Sequence, residues 1–178
     1  MNYNKTEGGI RLYHSIDEFI NDWTNEGNST QRILDTLTDE SLKQQVTIEG
    51  RTLGTLAWHV VTSVHEMLSR TGLTFVGAEH DNTVPITAKE VAESYRTTSQ
   101  NMLTAMKQQW NDETLKETDD MYGDQWPKGL TLSILNSHQI HHRGQMTVLM
   151  RQAGLRVPGV YGPSREEWAE FGMEAPSV

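Results

Sequence analysis

The stretch TLSILNSHQIHHRGQMTVLMRQA, residues Thr131 to Ala153, decides the fold. It reads as one long amphipathic helix that stops at Gly154, the residue type that ends helices in the left-handed conformation. At about 100° per residue, His138 and His142 fall about 40° apart on its wheel. Leu135, Met146 and Leu149 share that sector. Two imidazoles one turn apart therefore face the apolar side. Spacing of i and i+4 brings two ring nitrogens to one ion, and imidazole suits zinc, nickel, iron or copper. The pattern by itself also fits a structural pair. Buried imidazoles need partners for their nitrogens, however, and few acids lie nearby in the chain. The stretch is not the HExxH of zinc peptidases, because Gln139 stands where the protease base would be. His141 sits at the edge of the sector and reads as outer or surface.

Three further helical patterns precede it. The first runs from about Ser15 to Leu37, with Ser15 and Glu18 at capping-box spacing. Ile16, Phe19, Ile20 and Trp23 open its stripe, and Ile33, Leu34 and Leu37 resume it. The polar, Gly-containing stretch from Asn25 to Ser29 speaks against one continuous helix. The second spans about Thr52 to Thr71, with Gly72 as its stop. Leu53, Leu56, Ala57, Val60, Val61, Val64, Met67 and Leu68 lie on one face. The third begins at Thr87, with Glu90 at capping-box spacing, and continues to about Trp110. Thr74 to Pro85 is loop chemistry, and Asn111 to Gly129 reads as an ordered connector more than a helix. Ser164 with Glu167 opens a short last helix to about Phe171. Long helices, modest connectors and little strand signal predict an all-α four-helix bundle, one domain over residues 1–178.

His59 lies on the flank of the second helix, near Ser63 and Glu66. Alone it reads as a polar boundary residue; in a bundle, a flank also faces a neighbouring helix. His65 on the opposite flank, with His14 and His80 outside the long helices, are expected not to be ligands.

Bulk composition narrows the function. The net charge is −9, from 15 Lys and Arg against 24 Asp and Glu, without a basic stripe, which argues against direct binding of DNA or RNA. No apolar run approaches the ~20 residues that span a bilayer. The polar start, Met1 to Gly9, lacks the apolar core of a secretory signal, and there is no cysteine. A cytoplasmic location is expected. Any metal must be held by His, Asp or Glu, and a catalytic thiol must come from a substrate.

Two segments resemble a known family. LGTLAWHV, Leu53 to Val60, and NSHQIHHRGQ, Asn136 to Gln145, look like the signature stretches of the DinB-like superfamily, which includes YfiT-type bacillithiol transferases and mycothiol-dependent enzymes. MRQAGLRVPGVYG, ending at Gly162, resembles the end of the family's fourth helix. The likeness covers about Leu34 to Gly162. It implies a four-helix bundle around one divalent metal, zinc before nickel or iron, bound by His59, His138 and His142, and a homodimer. It also implies a stress or detoxification role in which the metal activates a low-molecular-weight thiol against an electrophile. A non-catalytic, stress-induced metal-binding protein and a metal-dependent hydrolase are the alternatives. No general base is identifiable. Glu66 reads as a solvated charge more than a supporting group. Arg143 and Tyr161 are candidates to meet an anionic substrate, with Arg143 placed outside the core. Trp58 and Trp126 are candidates for a pocket mouth.

Overall fold

A computed structural model describes residues 11–79, 84, 85 and 87–177. His80 and Asn82 lie outside the described residues. Helix α1 is Ile16–Asp35, α2 Leu53–Ser69, α3 Ala88–Gln109 and α4 Lys128–Gln152. Helix α2 packs against α4 and α3, and α1 packs against α3 and α4, which closes a four-helix bundle. The core between them holds Phe19, Trp23, Leu53, Val61, Leu68, Tyr95, Met102, Leu132 and Met146, each at most 1% exposed. No helix among the described residues is long and apolar enough to cross a membrane.

The caps explain where most helices begin and end. Thr52 accepts a hydrogen bond from the Thr55 backbone N–H and starts α2. Thr87 and Glu90 form the full reciprocal capping box of α3. Gly72 and Gly154, at φ +76° each, take the left-handed turns after α2 and α4.

Helix α1 departs from expectation twice. It is continuous through Asn25 to Ser29, because Gly27, Ser29, Thr30 and Gln31 are buried against the other helices. A Cβ on Gly27 would meet the Tyr95 hydroxyl at 3.4 Å and the Trp23 indole at 3.5 Å, so a small residue lets α1 approach α3. Ser15, for its part, makes no capping hydrogen bond. The carboxylate of Asp112, 96 residues away, accepts from the Ile16 N–H at 2.8 Å and does that work.

The connector before α4 contains a short hairpin that the sequence did not announce. Strand β1, Thr118–Met121, pairs antiparallel with β2, Asp124–Pro127, with Met121 opposite Asp124. Tyr122 and Gly123 link them at φ 60° and 90°, the two-residue turn with positive φ at both central positions that hairpins favour. Helix α4 follows directly and so starts at Lys128, a turn earlier than the periodicity predicts. Near its start the chain segment of Tyr13 crosses so closely that a Cβ on Gly129 would stand 2.2 Å from the Tyr13 carbonyl oxygen. The predicted last helix is only a 3-10 turn, Trp168–Phe171. The Glu167 carboxylate accepts from the Ser164 N–H at 2.8 Å, but the Ser164 hydroxyl has no partner, so only half of a capping box forms.

Candidate metal centre

The α2–α4 contact carries the histidines. His59 projects from the flank of α2, while His138 and His142 stand one turn apart on α4, all three half-buried. His59 Nε2 lies 3.0 Å from His138 Nε2, and His142 Nε2 lies 3.1 Å from the same atom. The three rings meet edge to face, with centroids 4.3 to 4.8 Å apart. Nitrogen atoms of the three lie within 4.8 Å of one another. The structure thus brings together the three residues that the family likeness implied.

The donor set fits a metal ion. Nitrogens bound to one ion at ~2.0–2.1 Å, at angles between ~90° and ~110°, stand ~2.9–3.4 Å apart, and the observed spacings fall in that range. Protons alone satisfy the cluster poorly. Gln145 Oε1 lies 2.7 Å from His142 Nδ1, so the His142 proton belongs on Nδ1 and its Nε2 offers a lone pair. His138 Nε2 faces two neighbouring nitrogens and can donate at most one proton. Its Nδ1 is buried without a hydrogen-bond partner. A cation at the focus of the three Nε2 atoms satisfies all of them at once.

Burial and mutual proximity keep the site uncharged. His138 is lowered to about 4, first by burial and then by the neighbouring His142 and His59. His142 is lowered as well, again first by burial, with His141 and Arg51 adding to the effect. Neutral imidazole is the form that binds metal, so the ligand state is ready at neutral pH.

His142 also opens onto a cavity of about 520 Å3. Leu56, Val148 and Leu149 give it an apolar wall, and Arg51 and Gln145 supply its polar groups. Its size is within the range of small-molecule sites, and a cluster facing it has room for one more ligand.

Other sequence candidates find different places. His141 is exposed and lies against the His142 ring. His14 is exposed, and His65 packs on Phe75. Glu66 is neither a support for the histidines nor a free charge. It pairs with Arg70 at 2.6 Å and accepts from the Tyr122 hydroxyl at 2.7 Å, which ties the hairpin to α2. Trp126 is buried in β2, and Trp58 packs against the core; neither lines the cavity. Gln139 turns away from the histidines. Its Oε1 accepts from the Tyr95 and Thr30 hydroxyls at 2.7 and 3.1 Å, and its amide donates to Asn136 Oδ1.

Arg143 corrects the sequence reading. It is not outside the core but 2% exposed. It donates to the Glu26 carboxylate at 2.6 Å and to the Tyr161 hydroxyl at 2.9 Å, so its charge is committed inside the protein. The cation beside the histidines is Arg51, which sits in the loop just before α2. Helical periodicity carries no signal for such a position.

A four-helix bundle with three inward histidines on its second and fourth helices defines a class of metal-binding helical proteins. The DinB family model matches residues 3–176, and the chain belongs to the DinB family. It is 49% identical over 167 residues to the protein YrdA of Bacillus subtilis (strain 168), a match spanning 94% of this chain and 100% of YrdA. Among solved structures it is similar to a DinB-like protein from Bacillus cereus ATCC 10987, at 48% identity and a TM-score of 0.82 over 84% of this chain and 100% of that one. The DinB-like protein YjoA of Bacillus subtilis, at 16% identity and a TM-score of 0.64 over 80% and 97% of the two chains, shares the fold.

Proposed function

We propose that His59, His138 and His142 hold one divalent transition metal, zinc before nickel or iron, and that the protein is a metal-dependent S-transferase for a low-molecular-weight thiol of the bacillithiol type. The observation that carries this reading is the opening of His142 onto the apolar cavity, because a purely structural ion needs no such space. When bound, the ion supplies Lewis acidity that lowers the proton affinity of a thiol. The chain's own part is to hold three neutral imidazoles in register and to seat the electrophile on Leu56, Val148 and Leu149, shielded from water. Transfer forms a sulfur–carbon bond at the electrophile. The departing group takes the electrons of the bond that breaks, and the thiol proton passes to solvent. The protein works as a cytoplasmic homodimer in stress response or detoxification.

Elemental analysis of untagged protein tests the site, with one equivalent of metal expected in the wild type and none in His138→Ala or His142→Ala. Retention of the metal by both variants would overturn the ligand assignment. Conjugation of physiological thiols to monochlorobimane tests the reaction, and a flat response across those thiols in metal-loaded protein rules out the transferase.

A further inference from the structure

We propose that Arg51 makes this cavity selective for substrates that carry a carboxylate on an aliphatic chain. The inference rests on the cavity being the substrate site, as set out above. Three observations meet there. Arg51 lines the cavity together with His142, so a molecule filling it touches both the cluster and the guanidinium. Arg51 also makes no ion pair or hydrogen bond with any described residue. Other arginines of the bundle are committed: Arg143 to Glu26, Arg70 to Glu66, Arg151 to Glu166 and Arg96 to Asp35. Finally, the wall between the two polar ends is apolar, made by Leu56, Val148 and Leu149.

The chemistry of a matching ligand follows from that layout. A planar guanidinium with free N–H donors takes a carboxylate through two parallel hydrogen bonds. Alkyl carbons suit the wall. A sulfur or other soft donor at the far end suits the imidazole cluster. The charge of the whole chain sharpens the point. At −9 it repels anions, so a fixed cation at the cavity decides whether an anionic substrate is accepted. The field of Arg51 reaches His138 and His142 and helps to keep both uncharged.

Calorimetric titration of the full-length, cobalt-loaded protein tests this with 3-mercaptopropionate and 6-mercaptohexanoate, each against its own primary amide. The wild type is expected to bind one or both acids roughly tenfold more tightly than the matched amide, the strength of a hydrogen-bonded ion pair at a partly screened site. Arg51→Gln should abolish that preference while amide affinity stays unchanged, and Arg51→Lys should keep part of it. Added salt should narrow the ratio in the wild type alone. Equal affinity for acid and amide, no measurable binding of either, or a preference that survives Arg51→Gln would overturn the role of Arg51. A separate readout guards the underlying reading. A sulfur-to-cobalt charge-transfer band with the amide reports thiol access to the cluster, and its absence counts against thiol activation whatever the acid-to-amide ratio.

Discussion

Arg143 Nη2 donates to Glu26 Oε2 at 2.6 Å, across the α1–α4 contact and over 117 residues of sequence. The Tyr161 hydroxyl lies 2.9 Å from Glu26 Oε1 and joins the C-terminal strap to the same pair. Arg143 Nη1 adds the Glu26 backbone carbonyl and the Thr30 hydroxyl. With side-chain exposures of 2% and 17%, the two charges are held largely away from water. Such a pair contributes little net stability while intact, but loss of one member strands the other.

Arg143→Met should therefore destabilise the protein by about 3 kcal/mol, with little effect on metal affinity. The double variant Arg143→Met with Glu26→Gln should recover much of that loss, because no unpaired charge remains. Denaturant titration of the four proteins of this cycle measures both numbers. Additive losses in the double variant would show that the ion pair is not the source of the effect.

Acid should weaken the metal-free protein. The His138 ring is held down to about 4 in the fold, against 6.5 in the unfolded chain. Between those values the unfolded state binds the proton more readily than the native state, so stability falls as pH drops from 6.5 towards 4. Above about pH 6.5 the group contributes no pH dependence. His142 is shifted in the same direction and adds to the slope. With solvent screening at this half-exposed site, the His138 contribution is about 1 kcal/mol at pH 5, or a fall of roughly 2–4 °C in Tm. Thermal melts of chelator-treated wild type and His138→Gln at pH 7.5 and pH 5 provide the check. The variant should show the smaller drop, and equal drops would remove His138 from the account.

How much of this was legible in the sequence depended on whether the deciding partner was local. Thr52, Thr87 with Glu90, and Gly154 act on their own helices, so α2, α3 and most of α4 could be bounded from the chain alone. The two histidines of α4 were legible for the same reason: i, i+4 spacing on one face is a property of one helix. Where the partner is distant, the reading failed. Nothing near Ser15 says that Asp112 will cap α1. The Asn25 to Ser29 stretch looks like a break until Tyr95, Gln139 and Arg143 are placed against it. Arg143 looks like a surface charge until Glu26 faces it. The hairpin escaped because Thr-Asp-Asp-Met and Asp-Gln-Trp-Pro carry little β-branched or alternating pattern, although Tyr122-Gly123 is a plausible turn. Pairing of His59 with the α4 histidines came from family likeness, since no single-helix pattern links positions 79 residues apart.

Gln145 offers the most direct test of how the protein tunes its histidines. Its Oε1 lies 2.7 Å from His142 Nδ1, which fixes the proton there and leaves Nε2 free to bind an ion. Groups in this role hold a ligand's tautomer and ring orientation, and their loss typically lowers metal affinity by ~10–100-fold. Gln145 is exposed, so Gln145→Ala should leave folding intact while zinc affinity falls within that range. Gln145→Glu keeps an acceptor at the same reach and should preserve zinc affinity. It also places a carboxylate in the cavity that Arg51 lines, and so should reduce the preference for anionic thiols. Competition with a chromophoric chelator gives the affinities, and circular dichroism confirms the fold. Unchanged zinc affinity in Gln145→Ala would mean that the orientation of His142 is set by the packing of α4 alone.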